Sequence, residues 1–451
     1  MHDDPAQQVR TSSANAAQRT PKPVGRQLPN VVVLVAIGLA VGALAWQLAA
    51  PHGYQLFGSN GIDTRVYRGG GLAVLHGLPL YDAPVYRHWQ FTYPPFAALV
   101  MAPMGLLDQT WARSTMSVVS AACLLLLVIL SLRALGFRRD GRFWAAALAL
   151  TVATTALEPV RTTLWNGQIN LILAVLIVGC LTLPLGRWRG IGVGLAAGIK
   201  LTPVFFVGYL AVTRQWRAII VALATFGATV VLGLVVLREQ AWRFWTAALR
   251  DTSRIGPLEA PANQSFNGFF ARLEWAGVWD SPDWLWLPIG VAGAAVGLYA
   301  AWRAQRAGAT LLAITLTGMT SCAVAPFSWG HHWIWVVPLV TIALTHAGVH
   351  VRRDRPVTWL WWIVPPALIA ATFSWMTPGI GEHGEPVWRF GSYRLVSAAV
   401  GGPMSESWRP ALAAWGSGTY LCVFLITLAV TLWWTGRVDP IRFRESARSQ
   451  S

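Results

Sequence analysis

The sequence is short of charge. Of 451 residues, 12% are Asp, Glu, Lys or Arg and 55% are hydrophobic, whereas about 25% of a soluble domain is charged. Acid is scarcer than base, with 19 Asp and Glu against 35 Lys and Arg, a net charge of +16. Cysteine is scarce as well. Cys123, Cys180, Cys322 and Cys422 each lie in an apolar run without CxxC spacing, which argues against a disulfide framework or a cysteine metal site and for simple packing. Alternating strands of about ten residues are missing, which argues against a membrane barrel, and no internal repeat is visible. What is abundant is apolar length. Mean hydropathy is +0.47, and runs long enough to cross a bilayer recur to the end of the chain. Only helices and closed barrels satisfy a backbone inside lipid, so the chain reads as an all-α polytopic membrane protein.

The basic excess is not a nucleic-acid footprint. It sits in short clusters between apolar runs: RRDGR (138–142), GRWRG (186–190), RQWR (214–217), RAQR (303–306) and RRDR (352–355). This is the pattern of cytoplasmic loops. Placing all of these clusters on one side gives about twelve transmembrane helices with both termini in the cytoplasm. Residues 1–29 read as a polar, disordered tail, and the run 31–50 as a retained signal anchor. Residues 30–435 form the membrane domain, 51–111 its first extracytoplasmic loop with interfacial helices, and 436–451 a second cytoplasmic tail. Two stretches resist simple crossing. Tyr93–Leu107 begins YPP and reads as an interfacial or re-entrant helix. Residues 190–213 would invert the topology as one span, so they are expected as two short helices meeting at KLTP, Lys200–Pro203.

Charge alone thus brings the polar motifs to the side opposite the basic loops. The stretch Asn60–Tyr93 carries Asp63, Arg65, Arg68, Tyr67, Tyr81, Tyr86, His88 and Trp89. Asp63 is either the N-cap of a helix or a general base. Transfer of a sugar from a polyprenyl phosphate needs one carboxylate to take the acceptor's proton and no strong general acid, because phosphate already leaves well. Arg65 and Arg68 are expected near Asp63, binding phosphate or anchoring the helix to headgroups. In SWGHHW, His331 and His332 read as substrate contacts or structural residues; no acidic partner at ligand spacing supports a metal. Lys200, inside an apolar run, is costly unless it is used or snorkels. Asn166 and Gln168 in WNGQIN cap a helix or bind sugar hydroxyls, and Glu158 is the reserve candidate for the base. Most of the 26 tryptophans belong to interfacial belts.

These motifs, taken together, resemble the integral-membrane C-type glycosyltransferases, in particular the polyprenol-phosphate-mannose-dependent α-mannosyltransferases of actinobacteria. The likeness rests on GIDTRVYRGG around Asp63, FTYPP (Phe91–Pro95), GQIN (Gly167–Asn170), KLTP, and the paired His after Ser328-Trp329, in the same order over about residues 30–435. It implies a β-mannosyl phosphoryl polyprenol donor and no cofactor or metal. It implies inverting transfer to a phosphatidylinositol mannoside, forming an α-1,2 linkage on the periplasmic side of the plasma membrane. Asp63 would be the base and His332 a second catalytic group; Arg65, Arg68, Glu158, Asn166, Gln168, Lys200 and His331 would bind substrate. Lipomannan or lipoarabinomannan branching, an arabinofuranose donor, and a lipid-linked sugar flippase are the alternatives.

Overall fold

The computed structural model describes residues 25–49, 61–351, 376–380, 386–390 and 409–437. In chain order its helices are α1 (Asn30–Ala49), α2 (Ile62–His76), α3 (Pro95–Gly105), α4 (Gln109–Ala134), α5 (Gly141–Thr154), α6 (Glu158–Asn166), α7 (Asn170–Thr182), α8 (Ile191–Ile199), α9 (Phe206–Val212), α10 (Trp216–Thr246), α11 (Phe266–Trp275), α12 (Trp286–Arg306), α13 (Thr310–Val324), α14 (Val336–Val351) and α15 (Arg409–Arg437). The described residues are helical except for an antiparallel hairpin of β1 (Met376–Ile380) and β2 (Pro386–Phe390), with Met376 opposite Phe390. That hairpin is a small addition to the helical architecture expected from the sequence. Its strands are joined by only five residues, a length suited to antiparallel pairing.

Among the described residues five helices are long and apolar enough to cross a membrane: α1, α4, α10, α12 and α15. A sixth crossing is available if α5 and α6, bent by 78° at their junction, count as one span. Shorter apolar helices occur at 95–105, 170–182, 202–212, 310–324 and 336–348. A 13-residue helix such as α7 covers about 20 Å at 1.5 Å per residue, less than the roughly 30 Å hydrocarbon core. By length alone, therefore, these shorter helices do not count as full crossings. The expected span 357–375 lies outside the described residues. Large apolar side chains stand outward on the long helices, among them Leu34, Val118, Ile220, Val235 and Val291. A soluble protein buries such residues, and lipid accepts them.

Several of the basic loops among the described residues meet one another or the N-terminal segment, whereas RRDR (352–355) lies outside the described residues. Arg26 pairs with the chain after α4: its amide donates to Gly136, Arg138 N donates back to its carbonyl, and its guanidinium donates to Leu135 O. Arg189 donates to Gln215 at 2.7 Å, and Tyr209 donates to Gln305 at 2.7 Å. Of the tail expected to be disordered, residues 1–24 lie outside the described residues, whereas Leu28 is fully buried. Because Arg189 and Gln215 meet, the chain between them leaves the face they share and comes back to it. It rises through α8, turns at Lys200–Phe205 and descends through α9, as two short helices meeting at KLTP.

At the opposite face the three consecutive glycines of α2 set the packing. A Cβ on Gly69 would lie 2.5 Å from Val85 O, one on Gly70 would enter the Phe91 ring, and one on Gly71 would lie 2.5 Å from Met101 O. Only glycine allows the 85–91 loop and α3 to seat so closely on α2. The far end of α10 completes the frame. It kinks at Arg238, and the following turns meet the same loop. Gln240 accepts from Leu80 N at 2.9 Å, Arg243 pairs with Asp82, and the Phe244 ring lies 5.2 Å from that of Tyr81.

Candidate active site

The site begins at the first turn of α2. The chain enters this helix through Gly61 in the left-handed conformation (φ 45°), and Gly61 N donates to Trp165 O at the end of α6. Asp63 therefore does not cap the helix; it lies within the first turn, and no side-chain cap is formed. Arg113 of α4 fastens the two helix ends together. Its Nη2 donates to Leu164 O and Trp165 O, each at 2.9 Å, carbonyls that the helix leaves unpaired at its C-terminus. Gly167 follows in the left-handed region (φ 70°), where a Cβ would overlap Thr64 Oγ1 and lie 2.7 Å from Arg113 Nη1.

A polar chain leads from Asp63 across the interior. Gln168 hydrogen-bonds the Asp63 side chain. Its Oε1 accepts from Tyr67 Oη at 2.9 Å, and Tyr67 Oη lies 3.0 Å from Tyr93 Oη. Tyr67 is four residues after Asp63 and so shares its face of the helix. With Oε1 facing Tyr67, the amide nitrogen of Gln168 is left to donate to the carboxylate. Lys200, at the turn between α8 and α9, reaches the same place. Its Nζ donates to Asn170 Oδ1 at 3.1 Å and to His332 Nε2 at 2.8 Å, and lies 5.7 Å from the Tyr93 ring centroid. An ammonium only donates, so His332 Nε2 is the acceptor and the ring proton sits on Nδ1. Asn170 Nδ2 donates to His331 O at 2.9 Å and fixes the His pair against α7.

These groups line one cavity of about 780 Å³, shared by Asp63, Glu158, Asn166, Gln168, Lys200, His331 and His332. Asp63 is deep in the protein but partly accessible from this space. Burial pushes its pKa up to about 6, against the hydrogen bond from Gln168 and the charge of Lys200, which pull it down. Burial and the adjacent Lys200 hold both histidines well below the usual imidazole range. They are neutral at pH 7, so neither brings a positive charge. His331 Nε2 is enclosed and has no hydrogen-bond partner among the described residues. Among the described residues no three His, Cys, Asp or Glu side chains gather as a metal site would require.

The sequence-predicted residues divide. Asp63, Gln168, Lys200, His331, His332, Asn166 and Glu158 meet at the cavity. Glu158 is almost fully buried, bonded by Tyr420 and pressed against Gly330, where a Cβ would lie 2.6 Å from its carboxylate. Arg65 and Arg68 do not line the cavity. Arg65 donates to Tyr86 Oη at 2.6 Å, and Arg68 donates to Leu107 O at 2.7 Å. The reason is rotation. At 100° per residue, positions two and five after Asp63 point about 160° and 140° away from it. Among the described residues a second cation lines the cavity, Arg254, which donates to Tyr81 O at 2.8 Å and to Phe91 O at 3.4 Å. Sequence reading missed Arg254 and Arg113, whose partners are distant in the chain, and it gave Tyr67 and Tyr93, though both lie in the motifs it named, no specific role.

Comparison with known proteins adds the lineage. The profile of glycosyltransferase family 87 matches residues 91–326, a range that ends on either side short of Asp63 and the His pair. A polyprenol-phosphate-mannose-dependent alpha-(1-2)-phosphatidylinositol mannoside mannosyltransferase of Mycobacterium tuberculosis is 31% identical over 75% of this chain and 87% of its own. A polyprenol-phosphate-mannose-dependent alpha-(1-2)-phosphatidylinositol pentamannoside mannosyltransferase of Mycolicibacterium smegmatis is 34% identical over 81% of this chain and 88% of its own. An alpha-(1->3)-arabinofuranosyltransferase of Corynebacterium glutamicum is 27% identical over 57% and 61%. No solved structure matches. Long apolar helices, a polar cavity at one end of them, and these matches agree: the chain is a membrane enzyme that belongs to glycosyltransferase family 87.

Proposed function

We propose that the enzyme transfers mannose from polyprenyl-phosphate-mannose to a phosphatidylinositol mannoside, with inversion, forming an α-1,2 linkage. The observation that carries this reading is the meeting of Asp63 and Lys200 on one cavity wall. It puts a carboxylate beside a fixed cation, as needed for one group to take a proton and another to hold a phosphate. Asp63, ionised at pH 7 with a pKa of about 6, removes the proton from the acceptor hydroxyl. That oxygen attacks the anomeric carbon from the side opposite the phosphate. The bond from the anomeric carbon to the phosphate oxygen breaks, and polyprenyl phosphate leaves with the electron pair. Lys200 and Arg254 attract the departing phosphate, and His331 Nε2 and His332 Nδ1 are available for hydrogen bonds to sugar or phosphate oxygens. His332 serves by orientation and not as a charged acid. Asn166 faces sugar hydroxyls, and Gln168 aims Asp63. Two lipid-borne substrates held in one membrane gain further from proximity. Glu158, clamped by Tyr420, is a support for the Gly330–His332 turn and not the base.

The same reading places the basic face in the cytoplasm and the cavity at the periplasmic side of the plasma membrane. Residues 30–435 form the membrane domain, with α2 and α3 lying at the interface. The long helices, the bent pair, α7, α8, α9, α13, α14 and residues 357–375 together account for about twelve apolar segments, with α3 apart at the interface. Residues 1–29 and 436–451 are cytoplasmic.

The test is transfer by the purified protein in vesicles from radiolabelled polyprenyl-phosphate-mannose to phosphatidylinositol mannosides. Label is expected in a longer mannolipid and is released from it by an α-1,2-specific mannosidase. Consumption of a polyprenyl-phosphate-arabinofuranose donor in place of the mannosyl donor would overturn the sugar assignment. The lipid that accumulates in a strain lacking the protein separates phosphatidylinositol mannoside elongation from lipomannan or lipoarabinomannan branching.

A further inference from the structure

The turn Val85–Trp89 is built more rigidly than a connection requires. Val85 N and Tyr86 N both donate to Trp89 O, at 3.0 and 3.3 Å, and Trp89 N donates to Tyr86 O at 2.8 Å. The turn closes only because Arg87 takes a left-handed conformation (φ 51°), which a non-glycine residue adopts at a cost and which persists where the surroundings enforce it. Those surroundings are visible. Tyr86 lies between two guanidiniums, Arg65 at 5.4 Å and Arg87 at 5.6 Å from its ring centroid, and also accepts the hydrogen bond from Arg65. Val85 is seated on Gly69 of α2. The product of this bracing is Trp89. Its indole lines the cavity yet stays 40% exposed, with the His88 ring 4.8 Å away.

We propose that Trp89 is the acceptor-glycan platform, on which a mannose ring of the acceptor stacks at the cavity mouth. The inference rests on the mannosyltransfer reading and deepens it. A mannose ring offers one face of C–H bonds to an electron-rich indole and keeps its hydroxyls in water, so a half-exposed, rigidly held Trp suits a glycan better than an acyl chain. Arg65 then has a role that its position facing away from Asp63 left unexplained: it positions the platform through Tyr86.

The experiment measures separate KM values for donor and acceptor with Trp89→Ala and Trp89→Phe in vesicles, using polyprenyl-phosphate-mannose and a phosphatidylinositol mannoside. The Ala variant is expected to raise the acceptor KM about tenfold while the donor KM moves less than twofold, and Phe to recover most of the loss. The same penalty is expected with an alkyl α-mannoside acceptor in detergent micelles, where no bilayer is present. An unchanged acceptor KM, or a donor KM that rises in parallel, overturns the proposal. So does a penalty confined to vesicles, which would make Trp89 a membrane anchor. If the Ala variant does not fold, Trp89→Leu, which keeps apolar bulk without a ring, decides: an acceptor KM raised severalfold in micelles supports stacking, and parity overturns it. Wild-type protein that transfers no mannose to either acceptor refutes the underlying reading instead.

Discussion

Substituting Gly167 by alanine tests the idea that the joint between α2 and α6 sets the position of Asp63. The residue has φ 70°, and an added Cβ would collide with Thr64 Oγ1 and approach Arg113 Nη1 to 2.7 Å. Leaving the left-handed region to glycine alone is worth about 1–2 kcal/mol, and overpacking a closed site costs about 1–3 kcal/mol. Neither obstacle yields easily, because Thr64 is fully buried and the Arg113 guanidinium is committed to two carbonyls. The expected loss is therefore about 2–5 kcal/mol, or a displacement of the first turn of α2 that relieves it. A shift of about 1 Å at a reacting group costs on the order of a hundredfold in rate. Thermal unfolding in detergent, followed by tryptophan emission, reads the first outcome, and transfer at saturating substrates reads the second. A Gly167→Ala protein with wild-type stability and wild-type turnover would refute the reasoning, because both cannot hold if the joint is as tight as described.

Other expectations follow from the same geometry. Asp63 works ionised, so transfer should fall tenfold per pH unit below about 6 and level off above it. Its pKa is raised on folding, so the associated stability is fully present below about 3.8 and lost as pH rises through about 6. At 1.36 kcal/mol per pH unit this amounts to about 3 kcal/mol. Asp63→Asn should abolish that dependence in pH-dependent unfolding. Glu158→Gln should keep an acid limb near 6, whereas a limb that disappeared would return Glu158 to the role of base. Arg113→Met removes two charged hydrogen bonds to carbonyls, each worth about 1.5–3 kcal/mol, and should lower stability and transfer together. Lys200→Met should slow turnover more than it weakens acceptor binding, which a split of kcat from acceptor KM checks.

The placement of the site was legible because it follows from charge. Basic clusters choose one face, and Asp63, Gln168, Lys200 and the His pair fall on the other. The break at KLTP was legible for the same reason, since a straight span would have sent RQWR to the wrong side. The orientation of Arg65 and Arg68 was available from helical rotation alone, and adjacency in sequence was misleading. Arg113 and Arg254 were not legible, nor was the hydrogen-bonded chain that Tyr67 and Tyr93 form with Gln168. Arg113 meets carbonyls 51 and 52 residues away, and Arg254 meets Tyr81 across 173; no local pattern marks such partners. The number of crossings was obscured because short apolar helices packed inside a protein have the composition of lipid-facing spans but not their length.

The measurement nearest to the central claim is mannose transfer by Asp63→Asn protein in vesicles supplied with both substrates. The carboxamide keeps the shape and cannot accept the proton. Transfer should drop by at least a hundredfold, with unfolding temperature at pH 7 equal to or above that of wild type. Turnover at the wild-type rate by this variant would contradict the account.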